Sequence, residues 1–293
     1  MTASVDRASA RVAAPTPGER AARARATVVR ALEASTDALA AWEAGSAAFG
    51  RADEHSDLDV VVLCTAGAGT AVLDAVDEAL ATVTDGLCSW YVGESLFGVQ
   101  QFWREPQDAD PSLICMLDVS VIELEAQADK WQELLLPERH GRALPIYDPD
   151  ALLESCRAQS TLDLEAHASR IAEAFATIEQ RHAMLAEFPA KELARGRALD
   201  AQAMHQALLV KPLVTLLGIR HRPLRFDFDQ RYLHDELPDE VARRLVPIAC
   251  ASSDTLAAAT VEAREWIDEL LATIDLDAIP LAEHAAQMRA AFG

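Results

Sequence analysis

The 293-residue chain is 51% hydrophobic, enough apolar material for two ordinary domains, each with its own core. Forty-seven acidic against 26 basic residues leave a formal charge of −21. That charge disfavours long nucleic acid as a partner, which is held by many Lys and Arg contacts to phosphate, and favours small cationic molecules; part of the acidic excess is ordinary solvation of helices. No run is apolar enough to span a bilayer. The five cysteines (Cys64, Cys88, Cys115, Cys156, Cys250) are scattered without a C-x-x-C pair for zinc or redox chemistry, so a reducing cytoplasm is the expected compartment.

Met1 to Glu19, rich in Ala, Thr, Ser and Pro and without a long apolar segment, is expected to be a disordered tail. Arg20 to Ser35 has the helix formers and apolar spacing of an amphipathic first helix. A strand is expected over Ala38 to Ala44, ending at Gly45-Ser46, and a buried one over Leu58 to Cys64, where the run LDVVVLC is bounded by polar and Gly-rich turns. Thr70 to Val83 reads as a helix capped by Thr70 and released at Asp85-Gly86. Strands follow over Leu87 to Val92, Leu96 to Trp103 and Ser112 to Ile122. After Tyr147-Asp148-Pro149 the pattern turns helical, with long runs over Leu162 to Phe188, Lys191 to Ile219 and Thr255 to Ile274. Pro212 predicts a kink or break near Val210-Lys211. The fold class expected is α+β: a mixed sheet with flanking helices over residues 20–150, then an all-helical domain over 151–293.

The chemistry-bearing residues lie around the second strand. Asp57 and Asp59 alternate with Leu58, so on an extended chain both carboxylates point to one side and Leu58 to the core. Two like charges this close raise one another's pKa unless a divalent cation neutralises them, and an all-oxygen ligand set suits Mg²⁺ or Mn²⁺ rather than zinc. Asp118, in the middle of an apolar strand, is the best-placed third carboxylate, with Glu123 and Glu94 as rivals. Upstream, Gly45 removes the side chain where a phosphate must approach the backbone, and Ser46 offers a hydroxyl and an N–H at the start of a short helix. The loop Gly50 to Ser56 brings Arg51 toward the same anion, or leaves it as a solvated loop cation, and sets Ser56 beside the carboxylates.

A Gly-Ser pair, nine residues, then Ser-Asp-x-Asp running into an apolar strand, with a further carboxylate on a later strand, resembles the DNA polymerase β-type nucleotidyltransferases. Within that superfamily it is most similar to small-molecule antibiotic enzymes such as aminoglycoside adenylyltransferases. The resemblance covers Gly45 to Leu63 and extends to Asp118; past residue 150 it rests only on the usual presence of a helical second domain. It implies that Ser46 touches nucleotide phosphates, that Asp57 and Asp59 bind two magnesium ions, and that Asp118 completes the site or acts as base. The long segment Leu87 to Pro111, with Trp90 and Trp103, departs from the family pattern.

The stretch Lys211 to Arg231 is the most basic part of the chain. Lys211 and Arg225 are its expected phosphate contacts, with Tyr232 stacking on a base or closing the core. The alternative is that these cations compensate a helix end and pair with Asp227, Asp229 and Asp235. The eight histidines show no zinc spacing, His55 reads as a loop residue, and no Ser or Cys has a nucleophile-elbow context. The reaction expected is transfer of AMP from Mg-ATP to a hydroxyl of a small cationic acceptor. Transfer to a protein or tRNA and a non-catalytic nucleotide-binding module are the alternatives, and a homo-oligomer is compatible with all three. The acceptor and the base preference carry no short signature.

Overall fold

The computed structural model describes residues 16–104 and 116–293. The chain divides into two compact units, the first running through Thr161 and the second from Leu162 to Ala291. The division therefore falls beyond the break expected at Tyr147-Asp148-Pro149. Helix Leu152–Gln159 accounts for the difference, because its Leu153 and Cys156 are buried in a core with Trp42 and Leu63 of the first unit. Of the expected tail, residues 1–15 lie outside the described residues, while Pro17 to Glu19 already belong to the first helix, which a Thr16/Glu19 capping box starts.

In the first unit, helix α1 (Pro17–Ala34) leads into β1 (Ala38–Glu43), a one-turn helix α2 (Gly45–Ala48), β2 (Leu58–Cys64) and helix α3 (Gly69–Ala81). Then come β3 (Cys88–Ser95), β4 (Gly98–Arg104), β5 (Met116–Glu123), α4 (Ala128–Leu134), α5 (Pro137–His140), β6 (Leu144–Tyr147) and α6 (Leu152–Gln159). The expected strand over Ser112 to Ile122 is β5, its first four residues lying outside the described residues. The helix expected over Thr70 to Val83 is α3, but Ala68 is its N-cap and no side chain caps it.

The six strands lie in the order β3-β4-β5-β2-β1-β6. The central pair, β2 and β5, is parallel, and its neighbours are antiparallel. Because successive side chains alternate across a sheet, β2 splits its apolar residues between two cores. Leu58, Val60, Val62 and Cys64 face α1 and α3, joined there by Leu117, Val119 and Val121 of β5. Val61 and Leu63 face the other way, where Trp131 and Leu134 of α4 and Leu153 of α6 cover them together with Ile122. Asp59 and Asp118 belong to this second face, at the starts of their strands, and remain half-buried.

The second unit is helical: α7 (Leu164–Leu185), α8 (Phe188–Ala194), α9 (Ala198–His205), α10 (Lys211–His221), α11 (Leu233–Glu236), α12 (Asp239–Ala249), α13 (Leu256–Thr273) and α14 (Leu281–Phe292). The long run expected over Lys191 to Ile219 is interrupted twice. Gly196, at φ +73°, separates α8 from α9, and a π-helical turn over Gln206–Val210 joins α9 to α10. That turn lies where Pro212 predicts a distortion: proline has no N–H to give to the helix, and a wider turn before it absorbs the lost bond. The core is built on Leu209, Leu213, Leu216 and Leu217 against Trp266, Ile267 and Leu270. Among the described residues no helix is long and apolar enough to cross a membrane.

Candidate active site

The first unit gathers several of the singled-out residues at one end of its sheet. As the chain leaves β1, the Ala44 N–H donates to the Asp59 carbonyl (2.9 Å), tying this turn to the start of β2. Gly45 follows at φ +60°, and a Cβ built there would stand 1.8 Å from Asp59 Oδ2. The Asp59 carboxylate thus rests directly on the Gly45 backbone, and any other residue would be both strained and displaced by it. Ser46 follows in α2, its carbonyl accepting from the Phe49 and Arg51 N–H groups (3.2 and 2.9 Å) and so folding the loop back on itself.

Across the sheet, Asp59 is in direct register with Asp118 on the neighbouring parallel strand. Register partners on adjacent strands share a face and lie about 4.8 Å apart along the backbone. Asp118 is held by Gln100 of β4, whose Nε2 donates to both carboxylate oxygens (2.9 and 3.0 Å). Gln100 is buried, so its amide is a fixed donor rather than a solvated one. Residue-type reasoning missed it, although alternation along Gly98–Arg104 places it on the carboxylate face. Asp57, just before β2, accepts the Met116 N–H on Oδ1 (3.2 Å). Partial withdrawal of its carboxyl from water raises its pKa, and the Met116 N–H opposes that rise.

The structure brings Gly45, Ser46, Asp57, Asp59 and Asp118 to one corner. Among the described residues no group of three or more His, Cys, Asp or Glu side chains is drawn to metal-binding range. Two carboxylates stand side by side while an oxygen of the third is turned onto a backbone N–H. The rival third carboxylates are placed elsewhere: Glu123 pairs in register with Cys64 at the far end of β5, and Glu94 is bound to Lys130 and Gln127. Ser56 does not turn toward the carboxylates. Its hydroxyl donates to Asp53 Oδ1 (3.0 Å) and accepts the Asp53 N–H (2.9 Å), because an Asx-type turn closes the loop, with the His55 N–H on the same carboxylate. The His55 N–H and the Ser56 hydroxyl lower the Asp53 pKa. The Arg51 guanidinium lies over the Phe49 ring, 5.0 Å from its centroid.

In the second unit, the basic stretch is largely internally neutralised. Arg225 is 3% exposed, pairs with Glu236 (2.9 Å) and is flanked by the rings of Phe228 and Tyr232, 4.6 and 5.3 Å from the guanidinium carbon. Arg222 donates to the same Glu236 (2.9 Å) and to the Asp229 and Arg231 carbonyls (both 2.6 Å). Arg225, one of the expected phosphate contacts, is thus buried and clamps the 222–236 loop. Lys211 is exposed and pairs with Asp229 (3.2 Å), as the alternative reading of these charges anticipates, whereas Asp227 pairs with Arg170 from outside the stretch (3.7 Å).

No family model matches the chain, and no curated protein matches it. Among solved structures it is similar to a nucleotidyltransferase-like protein from Exiguobacterium sibiricum 255-15, at 12% identity over 91% of this chain and 77% of that chain, with a TM-score of 0.35. A likeness that remote assigns neither a reaction nor a residue.

Proposed function

We propose that the chain is a nucleotidyltransferase that moves a nucleoside monophosphate, AMP from ATP, onto a hydroxyl of a small cationic acceptor such as an aminoglycoside. The observation that carries this is the in-register pair Asp59 and Asp118 beside the bare backbone of Gly45-Ser46. Hard oxygen ligands beside a turn that offers a backbone N–H and a serine hydroxyl are what a nucleoside triphosphate with magnesium requires.

The donor set fits magnesium or manganese by its chemistry: two carboxylates in register on adjacent strands, with a third, Asp57, two residues before Asp59. Asp57, Asp59 and Asp118 would hold it, two ions being the expected number, and bound there it would supply Lewis acidity at the α-phosphate and at the acceptor oxygen. The chain's own residues do the rest. Gly45 lets the Asp59 carboxylate pack against the turn, and Ser46 offers its N–H and hydroxyl to the phosphates. Asp118, fixed by Gln100, accepts the acceptor's proton as the new oxygen–phosphorus bond forms and the bond to pyrophosphate breaks. The charge of −21 supports a cationic acceptor over a polyanionic one.

The test is pyrophosphate release from Mg-ATP over a panel of aminoglycosides, with Asp57→Asn and Asp59→Asn beside the wild type. The reading requires turnover to fall by orders of magnitude in each variant while circular dichroism stays unchanged. Near-normal turnover in either folded variant refutes the carboxylate assignment.

A further inference from the structure

The pair Asp59 and Asp118 is half of a longer row. Asp118 is directly opposite Phe102 on β4, and Phe102 is directly opposite Trp90 on β3. Four residues from four adjacent strands, Trp90, Phe102, Asp118 and Asp59, therefore stand in one line across a single face of the sheet. At the usual strand spacing the line is about 14 Å long, with about 10 Å between Trp90 and Asp118. Trp90 and Phe102 stack, with centroids 5.5 Å apart and planes 21° from parallel. Trp90 is nonetheless 65% exposed. Most of the stacked indole is therefore open to solvent and available to a ligand.

We propose that Trp90, backed by Phe102, is the acceptor-binding platform, and that it takes a small molecule carrying both a ring face and ammonium groups. The proposal rests on the nucleotidyl-transfer reading. Three observations favour the acceptor over the nucleotide as its occupant. The Gly45-Ser46 turn adjoins Asp59 on the β1 side of the row, whereas the aromatic pair lies on the β4 side, so the carboxylates separate the two. In-line displacement brings the attacking hydroxyl to the α-phosphorus from the side opposite the leaving pyrophosphate, which is the β5-β4-β3 side if the phosphates lie on the turn. The outer end of the row presents an indole face, which attracts an ammonium-bearing molecule. Arg104, two residues beyond Phe102 on the same face, borders the platform, so a carboxylate on the acceptor would be met there and not along the row.

The experiment uses the full chain and its Trp90→Ala and Trp90→Phe variants, with kanamycin, streptomycin and spectinomycin as ring-bearing cationic probes and spermidine as a cation without a ring. Binding is measured by calorimetry without nucleotide or metal, and turnover by pyrophosphate release. The platform requires at least one ring-bearing probe to bind more tightly than spermidine. Trp90→Ala must then weaken that probe about tenfold and raise its KM, with KM for ATP unchanged, and Trp90→Phe must retain most of the affinity. Binding lost in Trp90→Ala while no protein releases pyrophosphate would keep the platform and reject nucleotidyl transfer. Turnover with an unchanged acceptor KM in Trp90→Ala would do the reverse. The proposal is also overturned if no probe binds the wild type, if the variant raises KM for ATP instead, or if it leaves probe binding unchanged while converting a dimer to a monomer by sedimentation.

Discussion

A methyl group at position 45 would share space with the Asp59 carboxylate, and the φ of +60° there adds strain for any residue with a Cβ. Gly45→Ala should therefore cost about 1–3 kcal/mol in a denaturant titration and should also lower turnover, because Asp59 must move. An alanine variant as stable and active as the wild type would contradict the packing described for that turn. A second residue-scale prediction concerns Glu133. Burial raises its pKa, but the hydrogen bond from His140 and the charge of Arg139 outweigh that and bring it to about 2. A carboxylate lowered in the folded state contributes stability that is present above its unfolded value near 4.5 and is lost as pH falls toward 2. Its side chain is 39% exposed, so solvent screening limits the contribution to about 1 kcal/mol or less. The stability difference between wild type and Glu133→Gln should be constant above pH 4.5 and vanish near pH 2; a difference that grows on acidification would reverse the assignment.

At the level of elements, the 222–236 loop is held by one carboxylate serving two arginines. The Glu236 side chain is 8% exposed and the Arg222 and Arg225 side chains 5% and 4%. Removing the carboxylate takes an ion-pair partner from two buried guanidinium groups at once, a loss of about 3–5 kcal/mol. Glu236→Ala should show it by thermal or chemical unfolding, and a loss below about 1 kcal/mol would mean that the cluster relaxes into water. This cluster also marks where sequence reading stops. Local alternation and turn residues carry β1, β2 and the β3-β4 hairpin, so those strands are legible from LDVVVLC and its neighbours. The partner of Arg225, by contrast, is set by how the loop folds back: it is Glu236, whereas the sequence suggests Asp227, Asp229 or Asp235. The same limit separates Asp118 from Gln100. A mid-strand aspartate is conspicuous among apolar residues, whereas a glutamine one strand away acquires its meaning only from register. Ser56 shows the converse: adjacency to Asp57 suggests a shared site, but the shorter-range Asx turn with Asp53 claims its hydroxyl first.

For the molecule as a whole, a sheet unit carries the candidate chemistry and a helical unit follows it, in a chain whose charge of −21 governs what approaches. At about 0.15 M salt such a chain should not retard tRNA or duplex DNA in a gel-shift assay, since there is little positive surface from which to release phosphate counter-ions. Firm retardation would move the acceptor from small cations to nucleic acid. The central claim is that the α-phosphorus of a nucleotide is transferred at the Asp59 and Asp118 corner. Its most direct measurement incubates the wild type and Asp59→Asn with magnesium, an aminoglycoside panel and ATP labelled at the α-phosphorus. The account predicts label in an acceptor with one pyrophosphate released per transfer, abolished in Asp59→Asn. Label remaining wholly in nucleotide with the wild type, or reaching an acceptor equally well with Asp59→Asn, would contradict it.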